Sequence, residues 1–224
     1  MKKHIPNLLT LLNLLSGCLG IYFVFTGYLD LAAYSIWIAA IFDFLDGFIA
    51  RLLGVSSPIG KELDSLADMV TFGVLPSFIL LMYMDSPYTA INFIPLALAL
   101  FSALRLARFN IDDSQSESFL GLPTPAAAFF VSGIPFWALS YSAYISWPLI
   151  LIISVILSIL LVLPVRLMAL KFKDYSFTNN WQRYLLLLLS LILLLTIGAK
   201  SLPIIITVYF LESILLPQSL ALKS

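Results

Sequence analysis

The chain has 224 residues, of which 61% are hydrophobic and 11% are charged, whereas an ordinary soluble domain carries about 25% charged residues. Twelve basic residues balance twelve acidic ones, so the charge balance gives no indication of a basic surface for nucleic acid. The single cysteine, Cys18, excludes an intrachain disulfide and a cysteine cluster for zinc or iron–sulfur. With a mean hydropathy of +1.03, the composition predicts an all-α, polytopic integral membrane protein.

Eight apolar runs approach the length of about 20 residues that a helix needs to cross a bilayer. In chain order they cover residues 7–27, 31–53, 66–84, 90–106, 125–145, 147–169, 184–199 and 202–217. We therefore expect about eight transmembrane helices in one membrane-embedded domain that spans residues 1–224. The catalytic core is expected in about residues 1–170, and a last helical hairpin in about residues 182–218.

The basic residues indicate how these helices are oriented. If the N-terminus is cytoplasmic, eleven of the twelve lysines and arginines fall on the cytoplasmic side, and only Lys200 falls outside. This pattern predicts a cytoplasmic N-terminus. It also places the connection between the second and third helices at the cytoplasmic face.

Four aspartates flank that connection, in the stretch FDFLDGFIARLLGVSSPIGKELDSLADM at residues 42–69. Asp43 and Asp46 are three residues apart on one helix face, and Asp64 and Asp68 are four apart on a face of the next helix. Glycines, serines and a proline between them indicate a turn that would bring the two pairs opposite each other.

Four clustered carboxylates need a cation, because like charges in a partly dehydrated cleft repel one another strongly. Arg51 and Lys61 could neutralise two of them, but hard divalent ions such as magnesium, manganese or calcium prefer carboxylate oxygen. Two such ions about 3.5 to 4 Å apart can clamp a pyrophosphate during phosphoryl transfer. The stretch therefore predicts a divalent metal site, expected to hold two ions, for a nucleotide diphosphate at the membrane surface.

The same stretch contains the pattern D-x2-D-G-x2-A-R-x8-G-x3-D-x3-D, with all eight fixed positions and every gap in place. In this the chain resembles the CDP-alcohol phosphotransferases. The resemblance implies transfer of a phosphatidyl group from CDP-diacylglycerol, or a close relative, to an alcohol, with release of CMP. It further implies that Asp43, Asp46 and Asp64 bind the divalent metals, and that Asp68 is the general base and borders the metal site as a further candidate ligand.

Further residues are candidates for binding the donor nucleotide. By the resemblance, the nucleotide and its phosphates would be lined by Gly47, Ala50 and Arg51, and Gly60 would shape the loop. Asn7 and Thr10 lie on one face of the first helix and are expected to hydrogen-bond the cytidine or its phosphates. The alternative for these two is polar packing between helices.

Two other stretches bear on the acceptor alcohol. The pattern Asn-x2-Thr-x2-Asn at residues 7–13, together with RLARFN at 105–110 and GLPTPAA at 121–127, resembles the phosphatidylserine synthase branch of the family. This resemblance covers about residues 6–128 and implies L-serine as acceptor, giving phosphatidylserine and CMP. It also implies a homodimer in a bacterial or archaeal cytoplasmic membrane, with the active site facing the cytoplasm.

Serine brings a carboxylate and an ammonium group, so its pocket should contain a cation for the first and a hydrogen-bond acceptor for the second. Arg105 and Arg108 are three residues apart at one helix end and could face the same cleft, and Lys61 is a third candidate. Both arginines could instead anchor a helix end at the lipid headgroups.

Two alternatives remain open at this point. Within the same chemistry, the acceptor could be glycerol 3-phosphate or an inositol phosphate. In a different class of protein, the carboxylates could form the ion pathway of a transporter, although acids would then be expected at the bilayer midplane on several helices.

Overall fold

The computed structural model describes residues 4–55, 57–111, 119–168 and 176–215. These residues form eight helical rods in chain order. The first four are α1 (His4–Phe25), α2 (Leu29–Leu53), α3 (Pro58–Asp68) continued by a π-helical turn (Met69–Val74) into α4 (Leu75–Leu81), and a 3-10 helix (Thr89–Leu96) continued by α5 (Ala97–Ile111). The last four are α6 (Thr124–Ser132) with α7 (Ile134–Tyr141) and a 3-10 turn (Ser142–Tyr144), α8 (Trp147–Val162), α9 (Phe177–Ile197) with a 3-10 turn (Gly198–Ser201), and α10 (Leu202–Leu215).

The all-α class is confirmed. Among the described residues, the departures from helix are short connections and one pair of two-residue strands, β1 (Phe119–Leu120) and β2 (Arg166–Leu167), which pair antiparallel. By length and composition, five stretches of the described residues are apolar enough to cross a membrane. They are His4–Phe25, Pro58–Leu81, Thr89–Ile111, Thr124–Tyr144 and the 36-residue Asn180–Leu215, which contains the last two rods. The eight rods match the predicted runs in order, while the number of spans stays a prediction.

The first rod has the inside-out pattern of a membrane helix. Leu8, Leu11, Leu15 and Leu19 are spaced by three or four residues along one face, and each is about half exposed or more. The opposite face is buried and contains small and polar residues. An apolar stripe that faces outward is stable in lipid, where the hydrophobic effect does not drive helices together.

The third rod begins earlier than predicted. Helix α2 ends at Leu53 and is capped by Gly54, which adopts a left-handed conformation with φ of 62°. The next helix begins at Pro58 instead of residue 66, because Ser57 caps it and accepts a hydrogen bond from the Gly60 amide at 3.0 Å. Gly60 therefore lies in the first turn of a helix, and the expectation that it shapes a loop is wrong.

The π-helical turn directly after Asp68 packs tightly against the first rod. Gly17 of α1 lies against Thr71 so closely that a Cβ atom at position 17 would collide with the Thr71 hydroxyl. The same hydroxyl, which is fully buried, donates to the backbone carbonyl of Asn13 at 3.3 Å. These contacts fix α1 against the segment that follows the second aspartate pair. Turns of this kind often occur at functional sites.

The connections between the second and third, fourth and fifth, and sixth and seventh rods share one end of the bundle. Lys61 Nζ, near the start of α3, donates to the backbone carbonyl of Asn110, near the end of α5, at 2.9 Å, so these two helix ends lie side by side. The Gly121 amide donates to the Val165 carbonyl at 2.9 Å beside the β1–β2 pair, which joins the second of these connections to the third. The aspartate pairs also lie at this end, near the turn between α2 and α3.

The opposite end of the bundle contains connections that the charge pattern predicts to lie on the outer side of the membrane. Trp137 Nε1 donates to the carbonyl of Lys200 at 2.7 Å, and the Lys200 ammonium lies 5.3 Å from the centre of the Tyr141 ring. The turn between the last two rods therefore lies beside the far end of the fifth rod. The residues Lys2, Lys3, Lys171, Lys173 and Lys223, on which the charge prediction also rests, lie outside the described residues.

The predicted orientation can be tested by cysteine labelling in intact cells, on a Cys18→Ala background. We expect Ser142→Cys to react with a membrane-impermeant maleimide from outside, because Ser142 is exposed at the end opposite the aspartates. Glu62→Cys, also exposed but next to the aspartate end, should react only after permeabilisation. The reverse labelling pattern would show that the aspartates face outward, contrary to the charge rule.

Candidate active site

Three carboxylates from two helices converge at the end of the bundle that contains the α2–α3 turn. Asp43 of α2 and Asp64 and Asp68 of α3 each offer one oxygen, and these oxygens all lie within 4.8 Å of one another. Oxygens bound to an octahedral magnesium ion at about 2.1 Å lie about 3 to 4 Å apart, so small side-chain adjustments would complete a ligand set. The three residues could therefore hold a metal ion.

Asp46 lies beside this group with one oxygen already engaged. The Thr10 hydroxyl donates to Asp46 Oδ2 at 2.6 Å, and both side chains are buried. The oxygen set of three carboxylates does not include Asp46. Thr10 was expected to contact the nucleotide, and the structure instead directs its hydroxyl to a carboxylate of the cluster.

The hydrogen-bond partner of Asp68 is Asn13, the last residue of the Asn-x2-Thr-x2-Asn pattern in α1. Asn13 Nδ2 donates to Asp68 Oδ1 at 3.2 Å, and Asn13 is fully buried. Asn13 follows Thr10 by three residues, so one face of α1 supplies a hydrogen bond to each aspartate pair. The three-residue spacing of Thr10 and Asn13 is visible in the sequence, but it does not show that Asn13 contacts Asp68.

A cleft opens from the aspartates toward the surface and has about 720 Å³ of empty space between and in front of its walls. Eleven residues line it: Pro6, Asn7, Thr10, Asp46, Gly47, Ala50, Val55, Ser57, Gly60, Lys61 and Asp64. The structure thus brings together five of the six candidates for donor binding. The sixth, Arg51, is exposed, and its guanidinium lies over Gly47.

Two glycines of the cleft differ in how the protein packs around them. A Cβ atom at Gly47 would lie 3.6 Å from Arg51 Nη1, an ordinary contact, so the protein's own packing does not require glycine there. A Cβ atom at Gly60 would lie 3.0 Å from Ser57 Oγ and 3.2 Å from Asn7 Oδ1, which is tight. The missing side chain of Gly47 therefore keeps the floor of the cleft open to a ligand.

The two basic side chains beside the cleft contact groups other than the carboxylates. Lys61 places its ammonium on the Asn110 carbonyl, and Arg51 lies over Gly47. Asp64 Oδ1 is buried and has no hydrogen-bond partner. Because a buried carboxylate oxygen without a partner is costly, the site fits a bound cation better than an empty cluster.

The two arginines proposed for acceptor binding are separated by the fold. Arg105 is buried, with 9% of its surface exposed, and its Nη1 donates to Thr124 Oγ1 at 3.1 Å. It lies near enough to Asp68 for the two charges to interact. Arg108, three residues later, is exposed. The expectation that both face one cleft is therefore not met, and only Arg105 lies toward the aspartates.

Comparisons with known proteins agree with this site. The family model of the CDP-alcohol phosphatidyltransferases matches residues 3–163. The chain is 41% identical over 129 residues to CDP-diacylglycerol–serine O-phosphatidyltransferase of Helicobacter pylori strain J99, which covers 56% of this chain and 54% of that protein. The protein of the same name from Bacillus subtilis is 40% identical over 129 residues, covering 56% of this chain and 71% of that protein.

An archaeal relative has a different lipid in its name. Archaetidylserine synthase of Methanothermobacter thermautotrophicus is 39% identical over 131 residues, covering 57% of this chain and 56% of that protein. The chain therefore spans about half the length of several curated relatives it matches. The family match, in contrast, covers well over half of this chain and includes all four aspartates. The chain belongs to the CDP-alcohol phosphatidyltransferase family.

Proposed function

We propose that the protein transfers a phosphatidyl group from CDP-diacylglycerol, or a closely related CDP-activated lipid, to the hydroxyl of L-serine, giving phosphatidylserine and CMP. The observation that carries the proposal is the convergence of Asp43, Asp64 and Asp68 next to an open cleft. The bacterial and archaeal relatives differ in the lipid that their names give, but both names contain serine. Family membership gives no support to the ion-transporter alternative.

The cleft suits the nucleotide part of the donor. Its floor at Gly47 and Ala50 has little side-chain bulk, and Arg51 beside Gly47 offers a guanidinium for phosphate oxygens. Asn7 and Lys61 line other parts of the wall, where they can donate to the base or the phosphates. The lipid tails would extend from the cleft into the bilayer, which keeps a liponucleotide at the boundary between lipid and water.

The carboxylates would hold the divalent metal, with Asp43, Asp46 and Asp64 as ligands and Asp68 bordering them as a further candidate ligand. Magnesium or manganese fits this oxygen-only set, calcium is a third candidate, and two ions are expected. When bound, the metal supplies electrostatic stabilisation of the charge that develops on the phosphate oxygens. The unpartnered Asp64 Oδ1 supports this assignment.

Asp68 is proposed as the general base. A serine hydroxyl is a weak nucleophile until a positioned carboxylate takes its proton. A bond then forms between the serine oxygen and the phosphorus of the phosphatidyl group, the bond from that phosphorus to the oxygen of CMP breaks, and the proton stays on Asp68. The hydrogen bond from Asn13 to Asp68 Oδ1 leaves Oδ2 for this proton.

Arg105 is proposed to bind the serine carboxylate, because it is buried near Asp68 and its Nε has no partner. Arg108 is exposed and suits an anchor at the headgroups. Lys61 lines the cleft at its rim, on the donor side of the aspartates, so an acceptor role for it is the weaker assignment. The homodimer, the single-domain boundaries and the cytoplasmic location of the active site stay part of the proposal.

The proposed acceptor is tested by CMP release from CDP-diacylglycerol in detergent micelles with purified protein and magnesium. We expect release with L-serine and none above background with glycerol 3-phosphate or inositol phosphate. Labelled serine should appear in a lipid product in the same amount as CMP. Release with glycerol 3-phosphate alone would replace serine as the acceptor, and no release with any acceptor would contradict the proposed reaction.

The proposed base is tested with Asp68→Asn, which keeps the shape of the side chain and removes its capacity to accept a proton. We expect turnover to fall by about 100-fold or more, the usual contribution of a general base. Glu62→Gln is the matched control, because Glu62 is exposed on the same helix, and it should retain full turnover. Unchanged turnover in Asp68→Asn would remove Asp68 from the chemistry.

The proposed metal site is tested with Asp43→Asn, which removes one charged ligand. We expect the magnesium concentration for half-maximal CMP release to rise at least about 10-fold. Direct binding of manganese, measured by electron paramagnetic resonance, should weaken in parallel. Asp30→Asn, an acid in the first turn of the same helix, should change neither value. Equal manganese binding in the wild type and Asp43→Asn would contradict this ligand assignment.

A further inference from the structure

Two unpartnered polar groups lie in the interior of the bundle, on residues that do not line the donor cleft. Asn13 Oδ1 is buried without a hydrogen-bond partner, and so is Arg105 Nε. Asn13 is completely buried and Arg105 is 9% exposed. Neither residue lines the donor cleft, although both interact with Asp68. Since buried polar atoms are nearly always paired, each of these two is a candidate for contact with a polar ligand.

The orientation of the Asn13 amide follows from its neighbour. A carboxylate can only accept hydrogen bonds, so the amide nitrogen must face Asp68 and the amide oxygen must face away from it. The backbone carbonyl of Asn13 is held by the Thr71 hydroxyl, and Gly17 keeps this part of α1 tightly packed. Asn13 Oδ1 is thus an acceptor with a fixed position, because the side chain cannot turn to find another partner.

The two unpartnered groups have opposite preferences. Asn13 Oδ1 accepts hydrogen bonds, so it suits a cationic N–H group, whereas the Arg105 guanidinium donates them and suits a carboxylate. A ligand that satisfies both must carry an ammonium and a carboxylate, and it must present a hydroxyl to Asp68. The class of small molecule that meets all three conditions is a hydroxy amino acid in its zwitterionic form.

We propose that Asn13 determines acceptor specificity by receiving the acceptor's ammonium group on Oδ1 while its amide nitrogen positions Asp68. This inference rests on the proposed function and deepens it, because it names how the amino group is recognised. In serine the amino and hydroxyl groups are on adjacent carbons, and Asn13 and Asp68 are adjacent through their hydrogen bond. Binding of the ammonium at Asn13 would therefore bring the hydroxyl toward Asp68.

The experiment compares serine with 3-hydroxypropionate, which lacks the amino group, and with ethanolamine, which lacks the carboxylate. Each analogue is measured both as a substrate and as a competitor of serine, so that an analogue without turnover still yields an inhibition constant. In Asn13→Leu, loss of the Asp68 contact should lower kcat for every acceptor. Loss of the ammonium contact should further lower kcat/KM for serine and ethanolamine by about 10- to 100-fold relative to 3-hydroxypropionate.

A second variant separates the two roles of the amide. Asn13→Asp keeps an oxygen for the ammonium but removes the donor to Asp68, so kcat should fall while the preference for serine over 3-hydroxypropionate is kept. The matched control is Ser16→Ala on the same helix, because the buried Ser16 hydroxyl donates only to the Leu12 carbonyl of its own helix. It should leave both kcat and the preference at wild-type values.

The outcomes separate this inference from the proposed function. Wild-type protein without serine-dependent CMP release would contradict the proposed function itself. Wild-type protein that releases CMP with serine, combined with an unchanged serine preference in Asn13→Leu, would overturn the role of Asn13 alone. Loss of the serine preference in Asn13→Asp would overturn it as well, and this holds even if Asn13→Leu does not fold.

Discussion

The mutual repulsion of carboxylates held close together is the constraint on which the rest of this structure depends. Asp43, Asp64 and Asp68 bring oxygens within 4.8 Å of one another in a partly buried site. Like charges at this separation oppose folding unless a cation lies between them. Lys61 binds a carbonyl and Arg51 lies over Gly47, while Arg105, whose charge interacts with Asp68, donates its hydrogen bond to Thr124. The fold must therefore hold the carboxylates together by other contacts and leave room for a metal.

Much of that support comes from α1, which contributes no aspartate. Its buried face donates from Thr10 to Asp46 and from Asn13 to Asp68, so each aspartate pair receives a hydrogen bond that stabilises a charged carboxylate. Gly17 then allows close contact with Thr71, one turn beyond Asp68. The helix can present this polar face inward because its outward leucines are solvated by lipid tails. Helix α1 therefore faces lipid on one side and positions the aspartates on the other.

The aspartate spacing could be read from the sequence because helical periodicity fixes which residues share a face. Asp43 with Asp46, and Asp64 with Asp68, lie as their spacing predicts, and a turn brings the pairs together. The early start of α3 at Pro58 was missed because hydropathy follows apolar residues, whereas the helix start is set by the Ser57 cap. Helical periodicity shows which residues share a helix face but not which residues that face contacts, so the contacts of Asn13 were not predicted.

The different positions of Arg105 and Arg108 were not predicted for the same reason: helical spacing does not show what each side chain contacts. Three residues along a helix correspond to a rotation of about 300°, so two such side chains share a face only loosely and can divide between the interior and the surface. Which of the two points inward depends on the neighbouring helices. Thr124 at the start of α6 accepts the hydrogen bond from Arg105, and this contact exists only in the folded protein.

The last rod, α10, lies outside the residues that the family model matches. Its contacts support the position of Thr124, which binds Arg105. Tyr209 of α10 is buried, and its hydroxyl donates to the Met168 carbonyl at 3.0 Å. Met168 directly follows β2, which pairs with β1, and β1 leads into the start of α6 at Thr124. A series of backbone contacts therefore connects α10 to the residue that accepts the Arg105 hydrogen bond. The family match ends at residue 163, so α10 and Met168 support the position of Thr124 from outside the matched residues.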